Sequence, residues 1–158
     1  CWYTRTPWVP AEAVHGAKRR LSAETGMSSN DQAPINQDEV RRILDQHKDK
    51  TKTALRVCAH CSLCADSCFL YHVHDKDPRY MPSHKFINSL GKLYKKKGKI
   101  DRAGFKEIEE IVWRRCVLCT RCYCPLGIDI PEMIAIARYI CRSQEVFFQW
   151  SELEQPAE

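Results

Sequence analysis

Cys58-Ala59-His60-Cys61-Ser62-Leu63-Cys64-Ala65-Asp66-Ser67-Cys68 is an unbroken C-x₂-C-x₂-C-x₃-C run. A second run, Cys116-Val117-Leu118-Cys119-Thr120-Arg121-Cys122-Tyr123-Cys124-Pro125, repeats the three leading steps and closes on Cys-Pro. Three thiols at successive steps of three let one turning loop wrap three corners of a cuboidal iron–sulfur cluster. A fourth, displaced by a helical turn, points away and serves a neighbouring cluster. Zinc needs only four ligands, commonly two pairs a dozen or two residues apart, and has no use for a third cysteine at the next step. A disulfide framework suits a small secreted chain, but no secretory apolar segment is visible, and adjacent C-x₂-C cysteines bridge poorly in series. Two clusters of the [4Fe–4S] type are therefore expected.

Crossing-over assigns Cys58, Cys61 and Cys64 to one cluster, with the last cysteine of the other run. Cys116, Cys119 and Cys122 go to the second cluster together with Cys68. The second run departs from the standard spacing. Tyr123 alone separates its third and fourth cysteines, and the usual fourth position holds Leu126, which cannot ligate iron. Cys124 is the nearest substitute; Cys141, a histidine or a three-iron cluster are the alternatives. Cys141 falls on an apolar helical stripe and reads as a small buried hydrophobe.

Outward from these runs the pattern is helical. Asn36 with Glu39 resembles a capping box, and Val40, Ile43, Leu44 and His47 recur at helical spacing. Ser83 is the expected N-cap of a helix carrying Phe86, Ile87, Leu90, Leu93 and Tyr94, stopped by Gly98. Asp101 is expected to cap the next, with Phe105, Ile108, Ile111 and Val112 on one face, delivering Trp113 and Cys116. Pro131 suits the opening position of a last helix through Met133, Ile134, Ala137, Ile140 and Cys141. Strand signals are almost absent, so the expected fold is all-α, with two cysteine loops set between helices.

The chain has 158 residues, with 25 Lys plus Arg against 20 Asp plus Glu, a formal +5. That balance is too mild and too interspersed to indicate nucleic acid. Eight thiolates and two dipositive cores would add four negative charges, so part of the basic excess reads as compensation. Apolar stretches such as 133–137 fall far short of the roughly 20 residues of a membrane helix. Residues 1–35 lack periodicity and read as a weakly ordered arm, of which 1–26 is an extension or partner-wrapping segment before a natural start at Met27. Residues 36–150 form the expected two-cluster domain, and 151–158 an acidic tail. Lys92, Lys95, Lys96, Lys97 and Lys99 read first as a solvated helix end favoured by the macrodipole, and second as a docking patch for an acidic redox partner. Arg114, Arg115 and Arg121 are the cations expected to stabilise a reduced cluster, and Phe69, Tyr71, Trp113 and Tyr123 the residues expected to exclude water.

Residues 36–150 resemble the α-helical ferredoxin family, in particular the ferredoxin-type iron–sulfur subunit of heterodisulfide reductase and the N-terminal ferredoxin module of related membrane-associated electron-transport proteins of sulfate reducers. The resemblance rests on the Cys58–Cys68 run, the intervening helices, and Cys-Pro-Leu-Gly-Ile-Asp-Ile-Pro at 124–131 leading into the last helix. A similar module forms the C-terminal half of the iron–sulfur subunit in succinate dehydrogenase and fumarate reductase. No Cys-Cys dipeptide occurs, so the Cys-Cys-Gly modules of the heterodisulfide-reductase group are missing. The resemblance implies an electron-relay subunit with no catalytic centre of its own. Its implied partners are a Cys-Cys-Gly or flavin subunit and a membrane cytochrome, with no nucleic acid and no direct membrane span. A freestanding ferredoxin and a zinc-stabilised interaction or nucleic-acid-binding module are the alternatives. Reduced cysteines and oxygen-sensitive clusters point to the cytoplasm of an anaerobe, with membrane association through partner subunits as a further arrangement.

Overall fold

Asn36 begins the first helix as its spacing predicts: its side-chain oxygen accepts a hydrogen bond from the Glu39 amide at 3.1 Å. The computed structural model describes residues 34–148. The arm up to residue 33 and the acidic tail lie outside the described residues. Within them are α1 (Gln37–Gln46), α2 (Lys48–Val57), α3 (Phe69–Val73), α4 (Pro82–Asn88), α5 (Leu90–Lys95), α6 (Arg102–Glu109) and α7 (Ile130–Ser143). No strand occurs among the described residues, and the fold is all-α as the sequence predicts. No helix among them is long and apolar enough to cross a membrane.

The apolar stripes converge on α7, which packs against α1, α4, α5 and α6. Ile134, Ala137, Ile140 and Cys141 of α7 are fully buried, as are Val40 and Ile43 of α1, Leu90 and Leu93 of α5, and Phe105 and Ile108 of α6. Burying a large aliphatic or aromatic side chain is worth roughly 1.5–3 kcal/mol, so this core sets the frame on which the cysteine loops hang. Gln144 ties the start of α1 to the end of α7. Its side-chain oxygen accepts from the Asn36 amide at 2.7 Å, and its carbonyl accepts from Arg102 at 3.0 Å.

Two helix starts and one helix interior differ from the sequence reading. Ser83 is not an N-cap: α4 begins one residue earlier, at Pro82, after Met81, and Ser83 is buried inside it. Proline suits the first turn because the amide it lacks would be unpaired there. The single helix expected from Ser83 to Gly98 is broken at Ser89, whose backbone (φ −107°, ψ −90°) leaves the helical region. The Ser89 hydroxyl turns back to donate to the Lys85 carbonyl at 2.7 Å, a local bond that competes with the helical ladder. The last helix is capped by Asp129, so Pro131 is its second residue rather than its first. Asp101 caps α6 as expected, accepting from the Gly104 amide at 3.0 Å. Gly98 follows α5 in the left-handed region (φ 75°), donating to the Leu93 carbonyl at 2.9 Å.

Beyond α6 the chain widens into a π turn over Glu110–Arg114, closed by the Arg115 amide donating to the Glu110 carbonyl at 3.2 Å. The extra residue per turn buries Val112 and Trp113 and carries the chain into the second cysteine loop.

The cap of α7 is a direct test of how the site is framed. Asp129 accepts from the Glu132 amide at 2.9 Å. Asp129→Ala is expected to destabilise the fold by about 1 kcal/mol and Asp129→Asn by a few tenths at most, measured by urea unfolding followed by circular dichroism. Equal losses for the two variants would mean that the carboxylate acts through charge and not as a cap.

Candidate functional site

The two cysteine loops share one backbone design. Within each, the second residue of the first spacer and the first residue of the next spacer lie in the left-handed region: His60 (φ 54°) and Ser62 (φ 63°), then Leu118 (φ 54°) and Thr120 (φ 60°). None is glycine, and a non-glycine residue held there costs of order 1–3 kcal/mol. For β-branched Thr120 the conformation is rare. The alternation curls each loop around an interior point. In the second loop the Leu118 amide donates to the Cys116 sulfur at 3.4 Å.

Each loop faces a cavity, and each cavity draws cysteines from both runs. Cys58, Cys61, Cys64 and Cys124 line the first, against Phe86, Ile128 and Ile130. Cys116, Cys119, Cys122 and Cys68 line the second, against Lys85 and Ile134. Thus the structure brings all eight cysteines singled out in the sequence to these two sites, three from one run and one from the other in each. Cys61 and Cys119 are exposed, while Cys64, Cys68 and Cys116 are buried. Leu126, at the usual fourth position, is also at the rim of the first cavity. Cys141 is in neither: it is fully buried on α7, where burial and then Glu109 push its thiol far above the ordinary range.

The crossing points are short. Cys122 and Cys124 are separated only by Tyr123, so their Cα atoms lie at most about 7 Å apart while lining different cavities. Ser67 bolts the same region. Its hydroxyl accepts from the Tyr123 amide at 3.1 Å and donates to the Cys64 carbonyl at 3.2 Å. The two cavities are therefore neighbours by chain connectivity.

Their electrostatics differ. Lys85 is 2% exposed, yet its ammonium reaches the Cys68 sulfur at 3.6 Å and lies 6.0 Å from the Tyr80 ring centre. Arg138, half buried, donates to the Val112 carbonyl at 2.8 Å and to the Cys116 carbonyl at 2.6 Å, satisfying the end of the π turn; its guanidinium is 5.4 Å from the Trp113 ring centre. Burial pushes the Cys122 thiol up to about 12, with the neighbouring Cys116, Cys68 and Cys119 acting in the same direction and Lys85 against them. No lysine or arginine lines the first cavity among the described residues.

Sequence reading does not find Lys85 or Arg138. Each is one of 25 Lys and Arg residues, and only the tertiary packing turns it inward. Two of the arginines expected near the second cavity are used elsewhere: Arg114 sits over the Phe148 ring and Arg115 pairs with Glu110 at 2.6 Å. Among the aromatics, Trp113 is buried and Phe69, though 45% exposed, lines the second cavity, whereas Tyr123 is 65% exposed and forms part of the surface instead of a water seal. Lys92 pairs with Glu107, while Lys95, Lys97 and Lys99 border an open cavity with Arg41 and Lys48.

Residues 54–128 match the family model of a 4Fe-4S dicluster domain, a stretch that spans both cysteine runs and stops just short of α7. No curated protein and no solved structure matches the chain. The matched segment is similar to ferredoxin-like iron–sulfur domains, whose 4Fe-4S clusters serve electron transfer. The residues fit such a group. The donors around each cavity are thiols, soft ligands suited to iron–sulfur clusters, and a backbone amide already points at one of the sulfurs.

In reduced, metal-free protein near pH 8, iodoacetamide is expected to label Cys61 and Cys119 about tenfold faster than Cys122, whose thiol burial keeps protonated. Cys141 is expected to stay unlabelled until the protein unfolds. Peptide mass spectrometry over time reads the order, and uniform rates would contradict the loop geometry.

Proposed function

We propose that the protein binds two [4Fe–4S] clusters, one in each cavity, and relays single electrons as a subunit of a larger oxidoreductase complex resembling heterodisulfide reductase. Cys58, Cys61, Cys64 and Cys124 would hold one cluster, and Cys116, Cys119, Cys122 and Cys68 the other. The observation that carries this reading is the interleaving of the two runs, three thiols and one, in both cavities. When bound, such clusters supply reversible one-electron storage. The chain's own part is to hold the thiols apart, exclude water with Phe86, Ile128, Ile130 and Ile134, and keep the two sites adjacent.

Zinc suits the arrangement less well. Around one zinc ion, thiolates at about 2.3 Å from the metal sit about 3.8 Å from one another. Among the described residues no three of His, Cys, Asp and Glu gather tightly enough to hold one ion. The thiols surround a space instead of a point.

A complex subunit is favoured over a freestanding carrier by the surface around the loops. Leu63, Val117 and Leu126, together with Phe69 and Tyr123, are large apolar residues left exposed on or beside the cysteine runs. Apolar side chains grouped at a functional rim mark a contact surface. The partners this reading calls for are redox subunits bearing Cys-Cys-Gly modules or a flavin, and through them a membrane cytochrome, in the cytoplasm of an anaerobe.

Anaerobic purification is expected to give brown protein with about eight iron and about eight acid-labile sulfide per chain. Cys124→Ser is expected to lose or alter one cluster's signal while leaving the other intact, and Cys141→Ser to leave iron content unchanged. Colourless protein containing zinc would refute the reading. Retention of both signals in Cys124→Ser would remove Cys124 from the ligand set.

A further inference from the structure

The second cavity contains a charge that its folding context opposes. An ammonium removed from water costs several kcal/mol unless it is paired, and Lys85 is 2% exposed. Its ammonium faces the Cys68 sulfur, which lines that cavity, at 3.6 Å, and lies 6.0 Å from the Tyr80 ring centre. The Lys85 carbonyl is itself held by Ser89, whose hydroxyl donates to it at 2.7 Å where α4 breaks from α5. That bond fixes the turn of α4 from which the lysine projects. Ser83 and Phe86 of the same helix line the first cavity while Lys85 lines the second. The helix α4 thus gives one site neutral neighbours and the other a cation.

We propose, building on the two-cluster reading, that Lys85 is a built-in countercharge that makes the second cavity the resting place of the transferred electron. Reduction there adds one negative charge, which the ammonium offsets at close range and in a medium that screens poorly. Reduction at the first cavity meets no lysine or arginine among its lining residues, where His60 is the one basic side chain. One electron moves from a one-electron donor to the second site; no bond forms or breaks and no proton is required. Lys85 is on this account a positioning residue for charge, and it sets the order in which the two sites fill.

Anaerobic redox titration followed by electron paramagnetic resonance, with dithionite and viologen mediators, separates the possibilities. The wild-type protein is expected to show two one-electron steps. Lys85→Met, which keeps the side chain's bulk without its charge, is expected to make the easier step at least tenfold less favourable, ~59 mV for one electron, and to leave the harder step in place. Lys85→Arg is expected to keep the wild-type order. If both steps move together, if only the harder one moves, or if neither moves, the role of Lys85 is overturned while the clusters stand. A second arm does not depend on Lys85→Met folding. Cys119→Ser is expected to remove or alter the signal of the site reduced first, and alteration of the site reduced last instead would overturn the proposal. Wild-type protein without iron or sulfide would overturn the two-cluster reading and Lys85's role together.

Discussion

Each thiol-lined cavity is completed by a cysteine borrowed from a distant part of the chain. Cys124 joins the loop that starts at Cys58, and Cys68 joins the loop that starts at Cys116. In the structure neither cavity is lined by the thiols of one run alone. The helices between the runs have to bring the loops together first, and the Ser67–Tyr123 bond marks the seam where they meet. Local helix formation is cheap compared with this closure, because long-range contacts require loop-closure entropy before they return any stabilisation. In the proposed holoprotein, ligation and tertiary closure would reinforce each other, as binding energy at a site absent from the unfolded chain becomes folding energy.

This dependence explains where the polar groups of the interior went. The carbonyls left over at the end of the π turn are taken by Arg138, so the turn can deliver Trp113 and Cys116 without burying unpaired oxygens. The break between α4 and α5 is covered by the Ser89 hydroxyl. Left-handed residues in both loops are held by the same packing that buries Cys64 and Cys116. Their repetition at matched positions shows that the curl follows from three inward thiols, not from the residues in between. His60 and Leu118 have no common side-chain chemistry.

The parts of the molecule legible in the sequence are those governed by short-range rules. Spacing alone names the eight cysteines, and Asn36, Asp101 and Gly98 act at helix ends as their side chains or conformational freedom dictate. The failures at helix ends and breaks have a common cause in competing local bonds and tertiary packing. Ser83 resembles a cap because serine caps well in isolation, yet a proline one residue earlier has the stronger claim on the first turn. The break at Ser89 and the widened turn at Glu110–Arg114 leave no periodic signature, since both occur inside apolar patterns that remain in phase with the core. Lys85 is invisible for a different reason: a lysine next to Phe86 on a helix reads as a solvent-facing residue until the second cavity is seen to lie on its side.

The shortened spacer, the one departure from the expected motif, acquires a physical meaning from the geometry. A three-residue spacer lets the fourth thiol reach its site around a helical turn; a single residue cannot. With Tyr123 alone between them, Cys122 and Cys124 can serve two cavities only if those cavities come within a few ångströms of a common stretch of backbone. In the proposed two-cluster protein the hop between sites would be limited by covalent chain and not by the mobility of helices, with the exposed Tyr123 at that junction. A relay built this way would keep its internal step short whatever a partner did to the surrounding helices. On that reading the approach of a partner and the countercharge proposed at Lys85, rather than the spacing between the cavities, would set direction.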